Sequence, residues 1–220
     1  MKALLLDVGG VVLRSGAEML GGLGAREPRV RAATDRRGPF GPVADPDWAA
    51  MLREEITERE YWARRCAEID GALGRDWSMP EFMHALYDQA GVDLVRPGAA
   101  ALVADVRAAG VPVGVLTNDL RAFHGGEPAD VHPLFEEVDV LVDASVTGIL
   151  KPDPRACAIA VGRLGLAPEE IVFVDDMPWN VAGARAAGLR AVQLDLLAPE
   201  DAFAVARAAL GLPMQAGIRS

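Results

Sequence analysis

Three short, wholly apolar runs in this chain each stop on polar residues: ALLL before Asp7, VGVL before Thr117-Asn118, and IVFV before Asp175-Asp176. Four or five apolar residues without polar alternation belong to a strand buried on both faces, the habit of a parallel sheet covered by helices. Pro97-Gly98 opens a helix whose apolar positions Leu102, Val103 and Val106 keep helical spacing, with Gly110 at its C-terminal end. Strands are predicted over residues 2–8, 111–116, 138–142, 171–174 and 191–194. Helices are predicted at about 155–164, after Pro178 as far as Gly188, and at about 199–210. This alternation predicts an α/β fold, a doubly wound, Rossmann-like parallel sheet, with residues 2–8 as its central strand.

The region from about Arg14 to Val95 reads differently. It has little strand character, and Trp48, Met51, Leu52, Ile56 and Trp62 fall at helical spacing. Ser78-Met79-Pro80-Glu81 is a helix start, with Ser78 as N-cap, Pro80 in the first turn and Glu81 at the reciprocal position. Residues 36–47, rich in Gly and Pro, read as a loop. The predicted organisation is a core of residues 1–14 and 96–220, with a helical domain of residues 15–95 inserted after the first strand.

Charge and cysteine usage narrow the partners. A formal charge of −10 over 220 residues opposes a nucleic-acid backbone. Two cysteines far apart, Cys66 and Cys157, form neither a disulfide framework nor a metal spacing, and read as reduced thiols of a cytoplasmic protein. The apolar start is interrupted by Asp7, so neither a signal peptide nor a membrane span is expected. A small-molecule substrate remains, with a monomer or homodimer as the assembly.

In open parallel sheets the ligand crevice lies beyond the carboxyl ends of the strands. Asp7, Thr117, Asn118, Lys151, Asp175 and Asp176 all fall at or just past such ends. Carboxylates with one lysine suit an oxygen-ligated Mg²⁺ and a phosphoryl group, because the cations balance the acids and the substrate oxyanion. An aspartate there can also act as a covalent nucleophile. The bland alternatives are a strand-end acid capping a turn, a solvated lysine, and an Asp pair capping the following helix. Gly9-Gly10 lacks the third glycine of a dinucleotide site. A receiver domain would be about half this length.

Four segments, LLLDVGGVV, VLTND, KPDP and FVDDMPWNVAGARAAG, in this order and spacing, resemble the four motifs of the haloacid dehalogenase (HAD) superfamily. The resemblance covers residues 1–14 and about 96–210, and the inserted helices stand where that superfamily carries its cap domain. ITEREYW, residues 56–62, resembles cap segments of its epoxide-hydrolase-like and dehalogenase-like branch. The resemblance implies that Asp7 is the nucleophile forming an aspartyl intermediate, that Thr117 and Asn118 hydrogen-bond the transferring group, and that Lys151 steadies the negative charge. It implies a Mg²⁺ held by Asp7, the backbone carbonyl of Gly9, Asp176 and Asp175.

One position departs from the pattern. Phosphatases of the superfamily carry, two residues after the nucleophile, an Asp that serves as general acid and base; this chain has Gly9. Asp119, His124 and His84 are the substitutes the sequence offers. The expected function is a Mg²⁺-dependent phosphatase of a small phosphorylated metabolite. The alternatives are a metal-free hydrolase of the dehalogenase kind, whose halide leaves without protonation, and a HAD-like binding or regulatory protein of little activity.

Overall fold

The computed structural model describes residues 2–89 and 91–213. The chain divides into two compact units: one within Met1–Leu13, Val95–Arg121 and Gly126–Ser220, the other within Arg14–Leu94 and Ala122–Gly125.

The first unit is built on five parallel strands: β1 (Ala3–Leu6), β2 (Val113–Thr117), β3 (Val140–Asp143), β4 (Ile171–Asp175) and β5 (Arg190–Gln193). Their order is β3-β2-β1-β4-β5, so the first strand is central. Leu4 stands opposite Val113 on one side and Val172 on the other, which aligns the carboxyl ends of β1, β2 and β4. β2 begins at Val113 rather than Val111, because Pro112 has no N–H for the ladder; its carbonyl accepts from Leu4 N at 3.0 Å.

Alternation along the strands divides the core. Ala3, Leu5, Leu116, Val142, Ile171 and Phe173 pack with buried residues of the helices Pro154–Leu164 and Pro178–Ala186. Leu4, Leu6, Val172 and Val174 point the opposite way, and all are completely buried. The helices Pro97–Ala108 and Pro199–Leu210 pack together and against β1, β2 and β4. Each such Leu, Val or Phe removed from water contributes about 1.5–3 kcal/mol, which is why strands this short are stable.

The second unit is helical. Its longer helices are Gly16–Arg26, Pro46–Leu52, Glu58–Leu73 and Met79–Tyr87. Ser78 and Glu81 form the reciprocal cap that their spacing predicts, and Thr57 and Glu60 form a second. Trp48, Met51, Tyr61, Trp62, Ile69, Phe82 and Leu86 form its core. Residues 36–47 are less irregular than the composition predicts: Gly38–Phe40 forms a 3-10 turn, and Asp45 caps the helix at Pro46. The buried Asp45 carboxylate accepts from Trp48 N, Gly38 N and the Tyr61 hydroxyl at 3.1, 3.0 and 2.9 Å, so its buried oxygens are hydrogen-bonded.

Candidate active site

The backbone runs straight from β1 into the site. Asp7 N still donates to Val174 O at 2.9 Å, one residue past the strand, and this delivers the Asp7 carboxylate to the edge of the sheet. Its Oδ1 accepts from Val8 N at 2.7 Å and from Lys151 Nζ at 2.8 Å. The chain then turns at Gly10, whose φ of +76° places it in the left-handed region. A Cβ on Gly10 would lie 2.6 Å from Asp176 Oδ2, so the backbone fits closely against that carboxylate. The buried Arg96 secures the turn from below, donating through Nε to Gly10 O at 2.9 Å and through its backbone N–H to Val12 O at 2.9 Å.

Gly9 is unlike its neighbour. It is exposed, its φ lies outside the left-handed region, and no atom lies within 4 Å of where a Cβ would stand. The turn requires glycine at 10 and not at 9.

Lys151 is the hub. Its side chain is only 2 % exposed, and Nζ bonds Asp7 Oδ1 at 2.8 Å and Asp175 Oδ2 at 2.7 Å, 5.5 Å above the Phe173 ring. Two carboxylates and a π face replace the water it gave up. Burial alone would lower its pKa, but the charges of Asp175 and Asp7 hold it above the ordinary lysine range. Burial pushes the Asp7 carboxyl well up; Lys151 pulls it down, and Asp175 adds to the rise. Gly183, in the helix Pro178–Ala186, lets this loop approach: a Cβ there would meet Pro152 at 2.8 Å.

Asn118, just beyond β2, faces the main chain of Lys151. Its Oδ1 accepts from Lys151 N at 2.7 Å and its Nδ2 donates to Lys151 O at 3.2 Å. The side chain that the resemblance assigns to the transferring group thus fixes the loop that carries the lysine. Thr117, the last residue of β2, is buried beside Asp143 of β3.

The two acids after β4 are held differently. Asp175 is completely buried, and both its oxygens are committed: Oδ2 to Lys151, Oδ1 to Met177 N at 2.9 Å, and both to Asn180 Nδ2 at 3.1 and 3.2 Å. The helix-capping alternative therefore applies in part to Asp175, which also anchors the lysine. Asp176 is 9 % exposed and lies against Gly10. Carboxylate oxygens of Asp7, Asp175 and Asp176 lie within 4.8 Å of one another, a hard-oxygen set that fits Mg²⁺.

Three positioning residues escape a reading by sequence. Asn180 lies five residues beyond Asp175, a polar side chain in the first turn of an otherwise apolar helix face; its Oδ1 is buried without a partner among the described residues. Arg96 reads as a helix-start residue before Pro97. Asp143, at the end of β3, accepts from Ser145 N at 2.8 Å and Arg121 N at 3.0 Å. Only the strand-end position of Asp143 was a usable signal.

Of the substitute acid–base groups, Asp119 is buried in the first unit, whereas His84 and His124 belong to the second. There His84 Nε2 lies 2.8 Å from His124 O, and the His124 ring is 5.3 Å from that of Tyr87. Burial, with His84 adding to it, lowers His124 to about 4. Both cysteines are buried free thiols whose pKa burial raises, Cys66 to about 11.

A five-stranded parallel sheet whose carboxyl edge holds a cluster of three aspartates, two of them bonded to one buried lysine, defines a Rossmann-like α/β core. The haloacid dehalogenase-like hydrolase family model matches residues 1–188, and the chain belongs to that family. It is 31% identical to a phosphoserine phosphatase of Thermus thermophilus over 91% of this chain and 92% of that enzyme. It is 29% identical to mouse acyl-CoA dehydrogenase family member 10 over 99% of this chain, which spans only 20% of that longer protein. The L-2-haloacid dehalogenase of Xanthobacter autotrophicus shares the fold, with a TM-score of 0.55 at 19% identity over 88% of this chain and 77% of that one. Among the described residues no helix is long and apolar enough to cross a membrane.

Proposed function

We propose that this hydrolase is a Mg²⁺-dependent phosphatase of a small phosphate ester, working through an aspartyl-phosphate on Asp7. The observation that carries the reading is the bridge from Lys151 Nζ to both Asp7 and Asp175 inside a three-carboxylate cluster. Lys151 orients Asp7 through Oδ1, which leaves Oδ2 to attack phosphorus. Asp7, Asp176 and the Gly9 carbonyl would hold the cation, with Asp175 beside them anchoring Lys151. Mg²⁺ would neutralise charge on the phosphoryl oxygens. Thr117 would hydrogen-bond those oxygens, and Asn118 would hold Lys151 in register. The helical unit would act as the cap that selects the substrate and excludes water, within a cytoplasmic protein.

A metal-free dehalogenase is the second reading, favoured by one observation: Gly9 offers no proton donor, and halide needs none. The acid pair Asp175-Asp176 supports phosphoryl chemistry instead, because a halide displacement gives no use to a cation site. Phosphate release from 4-nitrophenyl phosphate, stimulated by Mg²⁺ and abolished in Asp7→Asn, supports the phosphatase. Halide release from 2-chloropropionate in EDTA would replace it with the second reading. Neither activity, with Mg²⁺ still bound, would leave a binding protein.

A further inference from the structure

Two glycines in succession leave the turn after β1 with little conformational restraint of its own. Gly9 is exposed, and no atom lies within 4 Å of where its Cβ would stand. The restraint comes from the buried side. Leu13 N donates to Val8 O at 2.9 Å and closes the turn, while Asp176 fits closely against Gly10. Arg96, only 4 % exposed, donates through Nε to Gly10 O at 2.9 Å.

Arg96 also stands where the chain returns to the first unit from the second. Residues 12–14 and 94–96 run antiparallel there. Arg96 N donates to Val12 O at 2.9 Å, Arg14 N donates to Leu94 O at 3.0 Å, and Leu13 pairs with Val95 between them. As the residue before Pro97, Arg96 is confined to an extended backbone, with φ −64° and ψ 127°. One residue therefore holds the two-stranded linker by its main chain and the Gly9-Gly10 turn by its side chain.

We propose that Arg96 is a positioning residue for the cation site and couples that site to the linker. The inference rests on the proposed Mg²⁺ site, in which Asp176 and the Gly9 carbonyl are ligands. It extends that site to a residue 86 positions from Gly10. A main-chain carbonyl serves a cation well only when its turn is already ordered, because ordering it on binding subtracts from affinity. Arg96 fixes the peptide that follows Gly10, and the close approach of Asp176 fixes Gly10 itself. By linkage, a cation that orders the turn also tightens Arg96 and the ladder behind it.

Calorimetric titration with Mg²⁺ and hydrogen exchange at single amides test this on the full chain. Groups that hold metal ligands in place typically contribute 10- to 100-fold in affinity, so Arg96→Met should weaken Mg²⁺ binding about tenfold or more. Arg96→Lys should recover most of the loss, since one carbonyl needs a single donor and not a fork. In the wild type, saturating Mg²⁺ should slow exchange of the Arg14 and Arg96 amides, and in Arg96→Met that slowing should vanish. A folded Arg96→Met that melts lower yet binds Mg²⁺ as tightly as the wild type has lost only a structural contact, and the inference is overturned. Equal weakening in Arg96→Lys would assign the effect to packing and overturn it as well. If Arg96→Met does not fold, the wild-type exchange decides: amides 14 and 96 unmoved by bound Mg²⁺ also overturn it. These outcomes leave the Mg²⁺ site standing, whereas a wild type that binds no Mg²⁺ removes the site and the inference together.

Discussion

Asn118 and Lys151, 33 positions apart, are joined through a closed pair of hydrogen bonds, side-chain amide to main chain in both directions at 2.7 and 3.2 Å. A lysine side chain is flexible, and fixing its backbone on both sides is what lets its Nζ sit between two carboxylates. Asn118→Ala should cost about 1–3 kcal/mol of stability, since it strips partners from a partly buried N–H and C=O. The activity loss should appear mostly in kcat, and denaturant unfolding beside steady-state kinetics reads both.

Lys151→Met removes the positive charge that bonds both Asp7 and Asp175. Breaking one partner out of a buried ion pair costs about 3–5 kcal/mol, so the variant should unfold well below the wild type in EDTA. Lys151→Arg should not restore it, because a side chain only 2 % exposed leaves no space for a planar fork. Thermal melts of the three chains test this; an unaltered Lys151→Met would refute the role of hub.

The paired glycines make opposite demands. Gly10→Ala forces a side chain into φ +76° and against Asp176 Oδ2, so a loss of about 1–2 kcal/mol is expected. Gly9→Ala meets nothing within 4 Å and should stay within about 0.5 kcal/mol of the wild type. Chemical denaturation of both, side by side, decides whether the turn distinguishes them.

Removal of Mg²⁺ offers a check that does not depend on turnover. A cation bound only by the folded state adds stability as its concentration passes Kd, about 2.7 kcal/mol at a hundredfold excess. Mg²⁺ should therefore raise the melting temperature of the wild type, and EDTA should reverse the rise. Asp176→Asn should abolish the response, which isothermal calorimetry can measure directly.

His124 gives a pH dependence of known sign. Its folded pKa is lowered from 6.5 to about 4 by burial, with His84 contributing. Between those values the unfolded chain binds the proton that the folded chain refuses. The contribution is full above pH 6.5 and is lost as the pH falls toward 4. His124→Gln should accordingly lose about 1–2 kcal/mol less than the wild type between pH 7.5 and 5, measured by urea unfolding at each pH.

Much of the fold was legible because its signals are local. The runs ALLL, VGVL and IVFV announce strands buried on both faces, and Ser78 with Glu81 announces a helix start, each within a few residues. The helical content of residues 36–47 was hidden, since Asp45 caps its helix while also accepting from Gly38 and Tyr61, which lie outside that helix. The partners of Asn118, Asp175 and Asn180 were equally out of reach of any local pattern.

By itself the sequence determined the kind of fold, the polar residues that end its strands, and the missing carboxylate at position 9. Those follow from local periodicity and residue type. Tertiary structure alone decided how the residues divide their work. Register sets β1 between β2 and β4, and long-range packing seats Pro152 on Gly183. Asp175 becomes the anchor of Lys151, Asn118 its clamp, and Gly9 an open position beside a constrained Gly10. Distances of 2.7 to 3.2 Å between residues up to 33 positions apart come from packing a whole sheet, and no local preference encodes them.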